Sequence, residues 1–326
     1  MRVESLLRLC GVVSGIALIL AFAVTGKAEV AVGDVTIVYP DTAEFGMNGQ
    51  PNANLKPGSQ LFVTEVRGAW VGGTAQIEGK SQLGWLHRNQ VRRVAGRKAG
   101  AASAVEMATL IGQLIDKQVR VELDGTGFVH MLDASGSNIA DSDLAACEQF
   151  EHLVAADLSD TKLSDAAIPH LVKSNTLERV YLENVPVTGA VLPLIATLKN
   201  LEVLVLAGTK IQGSELGPLA GLTKLRTLNL AHCSLADEDL KHLRPLVNIE
   251  VLVLSDTALT GTGFDQFKPL ERLRVLNVCN TAVTDPVLVH LENAPCLKLF
   301  YVRGTQLTKE ATNKLRDTLS SCSIYH

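Results

Sequence analysis

Four side chains that could support covalent chemistry lie close together in the segment NLAHCSLADEDL, residues 229–240. His232, Cys233, Asp237 and Asp239 supply a base, a thiol and two carboxylates within eight positions. In a cysteine-dependent enzyme, a histidine deprotonates the thiol and a third group orients the imidazole ring. Whether this cluster is catalytic depends on the elements that hold it in place.

The chain repeats with a period of 24 residues from Val129 onward. In rows of 24, every row starts with an apolar residue, and these starts are Val129, Leu153, Leu177, Leu201, Leu225, Ile249, Leu273 and Leu297. Further apolar columns follow three, five and ten positions later, which gives L-x-x-L-x-L-x-x-[T/C/S/V]-x-L eight times. The second half of each row has apolar residues at i and i+3, which is typical of a short helix. Each row therefore predicts a strand, a turn and a helix, and stacked rows would share one core.

This pattern resembles the leucine-rich repeat family over residues 129–320. The turns TKLSDAAI, VPVTGAVL and TAVTDPVL are similar to a short variant found in bacterial extracytoplasmic proteins, particularly planctomycete ones. A Thr, Cys or Ser replaces the usual Asn at the ninth position, where it can satisfy backbone groups of a tight turn. These residues are Ser137, Thr161, Thr209, Cys233, Thr257, Thr281 and Thr305, and Val185 departs from the column.

The repeat gives the 229–240 cluster a structural explanation. Cys233 stands in the threonine column, and Asp237 shares a column with Asp141, Asp165 and Asp285. Leu235, which lies between them, belongs to an apolar core column. We therefore expect the cluster to form a turn rather than a catalytic site.

A second set of histidines also has repeat spacing. His170, His242 and His290 occupy the eighteenth position of rows two, five and seven. Neighbouring strands lie about 4.8 Å apart, so histidines two or three rows apart cannot share one metal ion. The sequence predicts no metal site, no catalytic residue and no cofactor.

The N-terminus, residues 1–28, resembles a secretion signal. Arg2 and Arg8 precede the apolar run GVVSGIALILAFAV, residues 11–24, and small residues follow at 21–23 and 26–28. A membrane span needs about 20 apolar residues, so a cleaved signal is favoured over a retained anchor formed by residues 9–24. In either case we expect the remaining chain to lie outside the cytoplasm.

Five cysteines follow this segment, and an odd number cannot all pair within one chain. They are Cys147, Cys233, Cys279, Cys296 and Cys322. No C-x-x-C spacing is present. Cys296 and Cys322 could approach each other at the C-terminal end, where free thiols and a capping disulfide are the alternatives.

Residues 29–94 alternate between apolar and polar positions, which indicates short strands. The segments LKPGSQLFVTEV, AWVGG and GWLHRNQV resemble a bacterial Src-homology-3-like domain, a small all-β barrel. The resemblance implies a peptide or cell-wall ligand surface that includes Tyr39, Trp70 and Trp85. The alternative is that both tryptophans fill the barrel. The polar stretch FGMNGQPNANL is longer than the first loop of such a domain.

The remaining segments predict connections and caps. Residues 95–128 are expected to form a basic linker followed by a helix and hairpin that cover the first row. The basic stretch 87–100 is either a solvated linker or a contact for an anionic polymer or lipid surface. Residues 321–326 are expected to form a final strand. The predicted fold is an α/β solenoid of eight leucine-rich repeats preceded by a Src-homology-3-like barrel.

Net charge and composition limit the function. The net charge of −4 gives no overall attraction to nucleic acid. Apolar residues make up 47% of the chain but aromatic residues only 4%, which suits a repeated aliphatic core. A membrane contact is expected only through an uncleaved N-terminal segment.

The best candidate for a binding surface is the inner face of the solenoid. Its side chains flank the L-x-L positions: Arg179, Tyr181, Val203, Val205, Thr227, Asn229, Val251, Val253, Val275, Asn277, Leu299 and Tyr301. Five valines on one solvent-facing surface favour a protein partner, although β-propensity alone also favours valine on a strand. The alternatives are a cell-wall or glycan-binding protein acting through residues 29–94, a structural spacer, and an enzyme whose site has no recognisable motif.

Overall fold

The computed structural model describes residues 35–38, 43–47, 50–67, 69–77, 80–94, 104–266, 270–292 and 294–326. The N-terminal segment 1–28 and Tyr39 lie outside these residues. By their internal contacts, the described residues form two compact units, one up to Ala156 and one from Asp157 onward. Within these ranges, no helix is both long enough and apolar enough to cross a membrane.

The first unit contains a seven-stranded antiparallel sheet in the order β3-β2-β6-β5-β4-β1-β7. Its strands are β1 Val35–Val38, β2 Ala43–Met47, β3 Gln50–Leu55, β4 Gln60–Arg67, β5 Trp70–Ile77, β6 Lys80–His87 and β7 Val91–Arg93. A 3₁₀ turn at Arg88–Gln90 precedes β7. The strands expected from the alternating segments are confirmed. The polar stretch FGMNGQPNANL is not a loop, because it forms the β2–β3 hairpin and thereby satisfies its backbone hydrogen bonds.

The core of this sheet is aliphatic. One side of the strands contributes the buried residues Val38, Leu55, Leu61, Val63, Val71, Ala75, Leu86 and Val91. Val71 and Leu86 belong to this core, whereas Trp70 and Trp85 precede them by one position. Because side chains alternate between the faces of a strand, both tryptophans lie on the opposite face. The interpretation that they fill the barrel is therefore wrong.

A helix, α1 (Ala104–Asp116), packs against the turn between β3 and β4. Gly58 has a φ of +82°, and a Cβ there would lie 3.0 Å from the Cα of Gly112. The side-chain amide of Gln60 donates a hydrogen bond of 2.9 Å to the Thr109 hydroxyl. The helix that the sequence predicts as a cap of the solenoid therefore contacts the preceding sheet.

The second sheet has ten strands in sequence order from β8 to β17. It begins with the predicted hairpin, formed by β8 Arg120–Leu123 and β9 Val129–Asp133. The strands that follow are β10 Ala155–Asp157, β11 Arg179–Tyr181, β12 Val203–Val205, β13 Thr227–Asn229, β14 Val251–Val253, β15 Val275–Asn277, β16 Leu299–Tyr301 and β17 Ser323–Tyr325. From β11 to β17 each strand pairs in parallel with the next, and the paired residues between β11 and β16 are 24 apart, as in Arg179↔Val203.

The segments that return the chain from one strand to the next are short helices, as the sequence predicts, but most of them are 3₁₀ rather than α. Three four-residue α-helices occur, α2 Ile168–Leu171, α3 Leu192–Ile195 and α4 Leu288–Leu291. The other returns are 3₁₀ turns, at Asp141–Gln149, Gly213–Glu215, Gly217–Gly221, Asp237–Leu243, Thr262–Gln266 and Leu270–Arg272. A 3₁₀ helix rises about 2.0 Å per residue against about 1.5 Å for an α-helix, so fewer residues complete the return. The ten-residue helix α5, Lys309–Thr318, precedes the last strand, as expected.

Candidate functional site

Cys233 is a buried turn residue. Its thiol donates a hydrogen bond of 3.1 Å to the carbonyl of Leu206 and lies 3.6 Å from the Thr209 hydroxyl. Threonines of the same column use their hydroxyls in a similar way, and donate to the carbonyl three residues earlier at Thr161, Thr209, Thr257, Thr281 and Thr305. Burial raises the pKa of the Cys233 thiol, which keeps it protonated and poorly nucleophilic.

His232 has a backbone conformation that recurs through the solenoid. Its φ of 57° is matched at every row by a residue with positive φ: Gly136, Asp160, Asn184, Gly208, Asp256, Asn280 and Gly304. Such left-handed positions favour Gly, Asn, Asp and His. The His232 Nε2 lies 3.5 Å from the carboxylate of Asp256 in the next row. The column of left-handed residues therefore explains the type of residue found at His232.

The two carboxylates of the segment hold turns. Asp237 accepts hydrogen bonds from the backbone and hydroxyl of Thr260 and from the backbone of Gly261 and Gly263. Burial alone would raise the pKa of Asp237, but these bonds outweigh it and the pKa is lowered. Asp239 accepts from the backbone of Ala236 at 2.9 Å. The residues of the cluster therefore belong to turns, as the sequence predicts.

The link from Asp237 to the next row recurs. Asp165 accepts from the backbone and hydroxyl of Thr188, and Asp285 accepts in the same way from Thr308. In each pair the carboxylate belongs to the earlier row and the threonine to the later one.

Other reactive groups are also dispersed. Among the residues that the structure describes, no group of three His, Cys, Asp or Glu side chains could hold a metal ion. Cys296 is exposed, Cys322 is buried, and both are free thiols, so the capping disulfide is not formed. Cys147 is fully buried, which raises the pKa of its thiol to about 12.

The inner sheet face carries an apolar surface that extends over several strands. Register places Val203 opposite Thr227 and Val251 opposite Val275, and it places Val205 opposite Asn229. A cluster that we call the trough comprises Val205, Ala207, Ala231, Val251, Val253 and Val275, with Tyr181, Val203, Leu299 and Tyr301 packed against it. Of these, Ala207 and Ala231 were not predicted from the sequence. Their position, two residues after the last strand residue, could have been recognised as a third column of the same face.

The trough is more shielded from solvent than the sequence predicts. Arg179, Tyr181, Val203 and Tyr301 are half-buried rather than exposed. Val205, Asn229, Val251 and Val253 are buried, and the exposed fraction of Val253 is 0%. Paired strands lie about 4.8 Å apart, so side chains at the same position of neighbouring rows cover one another laterally, as Asn229 and Asn277 do on either side of Val253.

Two asparagines interrupt the apolar floor. The side-chain oxygens of Asn229 and Asn277 each accept a bond of 2.9 Å from the backbone two residues later. The structural role of Asn229 is therefore to hold its own turn. The Nδ2 of Asn277 is buried and has no hydrogen-bond partner in the described part of the chain.

Charged side chains beside the trough neutralise one another. Arg226 lies 2.8 Å from Glu250 and 3.9 Å from Glu202, and Arg274 lies 3.7 Å from Glu250. These four residues precede successive strands, so they form a ladder along one border of the trough. The border therefore offers no excess charge of either sign to a ligand.

The antiparallel sheet of the first unit has a second apolar surface on its outer face. Trp85 lies over Gly72, and the Arg67 guanidinium lies 5.1 Å from the Trp85 ring centroid. Trp70 contacts His87 edge to face, with 5.3 Å between the ring centroids. Phe62 and Leu83 both oppose Thr74 and are 51% and 61% exposed. These two were missed from the sequence, although strand alternation places them on the same face.

Comparison with known proteins identifies the fold. No family model and no curated protein matches the chain. Internalin C2 from Listeria monocytogenes has a TM-score of 0.51 at 18% identity, over 69% of this chain and 87% of its own. Internalin InlF from the same organism has a TM-score of 0.46 at 16% identity, over 56% of this chain and 49% of its own.

A plant structure is similar over a smaller share of its length. It is the leucine-rich repeat ectodomain of the Arabidopsis thaliana receptor kinase GASSHO1/SCHENGEN3 in complex with Casparian strip integrity factor 2. Its TM-score is 0.41 at 21% identity, over 60% of this chain and 27% of its own. Together with the long parallel sheet, the likeness to internalin C2 shows that this chain has a leucine-rich repeat fold.

Proposed function

We propose that this protein is a non-enzymatic, extracytoplasmic interaction protein whose solenoid binds a protein partner in the trough. In this proposal the solenoid comprises eight repeats and follows a Src-homology-3-like barrel. The observation that carries the proposal is the trough itself. It is an apolar floor that extends across neighbouring strands and has tyrosines near both ends.

The chemistry of the trough suits an interface. Interface cores are depleted in charge and enriched in aromatic residues, and the strongest contacts usually involve buried aromatic side chains. Tyr181 and Tyr301 are half-buried, and Tyr301 stacks on Tyr325 with 4.9 Å between the ring centroids. Both tyrosines can therefore contribute aromatic contacts to a partner that covers the valines.

The turn chemistry supports a binding role over catalysis. In the one segment with a suitable base, thiol and carboxylate, the thiol and the carboxylates bond to turns and the histidine lies beside Asp256 of the next row. A catalytic function would need a different set of groups, and the described residues include no cluster of three side chains that could hold a metal ion.

The test is affinity capture with the immobilised chain, using solubilised envelope of the source organism. The double variant Val205→Glu/Val253→Glu should lose capture by about tenfold or more, because charge on the buried floor destabilises the solenoid and an interface core tolerates charge poorly. Val247→Glu/Val289→Glu is the matched control, since these valines are 52% and 58% exposed.

A second variant separates a loss of binding from a loss of folding. Val203→Glu lies at a half-buried position of the trough, where a charge is less disruptive to the fold. Circular dichroism checks both variants. Undiminished capture by a folded Val203→Glu variant would contradict the trough as the binding site.

A second candidate function is binding of a cell-wall polymer or glycan by the outer face of the first sheet. The observation that favours it is the exposure of Trp70, which is 52%, beside exposed Phe62 and Leu83. Trp70→Ala/Phe62→Ala should then abolish sedimentation with isolated envelope polymer. Val105→Ala, an exposed residue of α1, serves as the control. Unchanged sedimentation of the double variant would exclude this surface.

A further inference from the structure

Asn277 is a polar side chain in an apolar part of the trough. Register places it between Val253 of the preceding row and Tyr301 of the following row. Val275, two residues earlier on the same strand, also belongs to the apolar cluster. Polar groups in such surroundings normally have a hydrogen-bond partner. The oxygen and the nitrogen of the Asn277 carboxamide therefore need separate explanations.

The oxygen of this carboxamide has a structural role. The Oδ1 of Asn277 accepts a hydrogen bond of 2.9 Å from the backbone N–H of Cys279. Asp133 and Asp157 stand in the same column, and each accepts in the same way from the backbone N–H two residues later. This contact needs an oxygen atom and makes no use of an amide nitrogen.

The turn itself does not require a polar residue at this position. Val253 occupies the same column one row earlier. In both rows the residue three positions later has a left-handed conformation, with a φ of 58° at Asp256 and 55° at Asn280. A valine in place of Asn277 would therefore suit both the turn and the apolar neighbours, so neither explains the amide.

The nitrogen of the carboxamide has no role within the solenoid. Nδ2 carries two N–H donors. It is buried, and it has no hydrogen-bond partner in the described part of the chain. Because Oδ1 is held by the Cys279 backbone, Nδ2 lies on the side of the carboxamide away from that turn. The trough therefore contains a donor that awaits an acceptor.

We propose that Asn277 is the specificity-determining donor of the trough, and that its Nδ2 donates a hydrogen bond to an uncharged carbonyl oxygen of the protein partner. A partner with this oxygen pairs a donor that the solenoid leaves unpaired, whereas a wholly apolar partner leaves it unpaired and binds more weakly. This inference rests on the proposed function, because it names the chemistry of the partner at the same surface.

The surroundings favour a neutral acceptor over a carboxylate. A carboxylate taken out of water needs a cation or several donors. Asn277 supplies one nitrogen, and its column neighbour Val253 supplies no donor. In the border ladder, Arg226 and Arg274 both lie within 4 Å of Glu250. The charge of these arginines is therefore already compensated.

The same geometry limits the form of the partner. Carbonyl groups inside an α-helix are bonded within that helix, so they are not open to Nδ2. The oxygen must come from an extended segment, from the last turn of a helix or from an Asn or Gln side chain. The expected partner is thus an apolar segment that presents one free carbonyl oxygen.

The first test uses three small probes that share one branched apolar tail. Isovaleramide carries a neutral carbonyl, isovalerate carries a carboxylate, and isopentylammonium has no acceptor. In the full chain prepared with ¹⁵N-labelled asparagine, the Nδ2 signals of Asn277 are those that Asn277→Val removes. Isovaleramide should shift these signals downfield and saturably, isovalerate should bind about tenfold more weakly or less, and isopentylammonium should leave them in place. The absence of a saturable shift with isovaleramide, tighter binding of isovalerate, or an equal shift with isopentylammonium would overturn the proposal.

The second test compares two matched variants. Asn277→Val and Asn229→Val each remove one Oδ1 bond to the backbone two residues later. Only Asn277→Val also removes a buried nitrogen without a partner, so its urea midpoint should be the higher of the two. Its capture of the envelope partner should nevertheless be about tenfold weaker than that of Asn229→Val. Equal capture, or a lower midpoint for Asn277→Val, would overturn the proposal.

Failure of this inference can be distinguished from failure of the proposed function. Undiminished capture by a folded Val203→Glu variant contradicts the trough as the binding site. A lack of response of the Asn277 signals to isovaleramide, together with lost capture by Val203→Glu, keeps the trough as the binding site and removes only the role of Asn277.

Discussion

The two sheets of this protein differ in how far they expose apolar side chains to solvent. The outer face of the antiparallel sheet leaves Phe62 and Trp70 about half exposed, whereas the inner face of the solenoid shields Val251 and Val253 almost completely. Both faces arise from the same alternation of side chains along a strand. The difference shows that alternation identifies the members of a face, while the packing of neighbouring elements decides whether the face meets water.

The sharpest way to break this comparison is to place the same charge on both faces. Val253→Asp buries a carboxylate without a partner and should destabilise the solenoid by about 3–5 kcal/mol. Phe62→Asp changes a half-exposed position, so it should change the free energy of unfolding by no more than about 1 kcal/mol. Urea unfolding followed by circular dichroism measures both. Similar losses in the two variants would show that the valine face is open to solvent.

A second comparison separates steric overlap from backbone strain. A Cβ at Gly73, in the antiparallel sheet, would collide with the carbonyl oxygen of Phe62, whereas a Cβ at Gly136 meets nothing within 4 Å. Gly136 has a φ of +66°, so Gly136→Ala should cost only about 1–2 kcal/mol. Gly73→Ala should cost about 3 kcal/mol, since backbone atoms must move. The midpoints of urea unfolding should follow this order, and the reverse order would contradict the geometry.

A third prediction concerns pH and the links between rows. The pKa of Asp237 is lowered in the fold, so its stabilisation is present above the unfolded value of 3.8 and is lost as the pH falls through the lower folded value. Asp237→Asn should therefore reduce the pH dependence of solenoid stability in that acidic range, and should cost about 1 kcal/mol at neutral pH. Glu238→Gln, at an exposed neighbour, is the control. An unchanged pH profile in Asp237→Asn would contradict the role of these hydrogen bonds.

The smallest expected effect is at Cys233. Thr209 and Thr257 show that threonine fits this column, so Cys233→Thr should change stability by less than about 1 kcal/mol. In the unaltered chain, iodoacetamide should modify exposed Cys296 well before Cys233 or Cys147, whose thiol pKa values are raised by burial. Rapid modification of Cys233 would revive the possibility of a reactive thiol.

The sequence predicts the solenoid well because the same pattern of apolar residues recurs in every row. An apolar column that returns every 24 residues identifies strand, turn and core together, and the parallel register between β11 and β16 follows from the period. The left-handed column could also have been recognised, since Gly136, Asp160, Asn184 and Gly208 are all residues that tolerate positive φ.

What the sequence does not predict depends on contacts between distant elements. The exposure of Val253 depends on the side chains of the neighbouring rows, and the position of Trp70 depends on which face of its strand meets the aliphatic core. The β2–β3 hairpin is polar throughout most of its length, so hydrophobic alternation gives little signal there.

The carboxylate–threonine links give the solenoid a direction. In Asp165–Thr188, Asp237–Thr260 and Asp285–Thr308, the acceptor always belongs to the row that is synthesised first. Each aspartate therefore fixes a turn of the row that follows it in the chain. A substitution at one aspartate consequently acts on the following row as well as on its own.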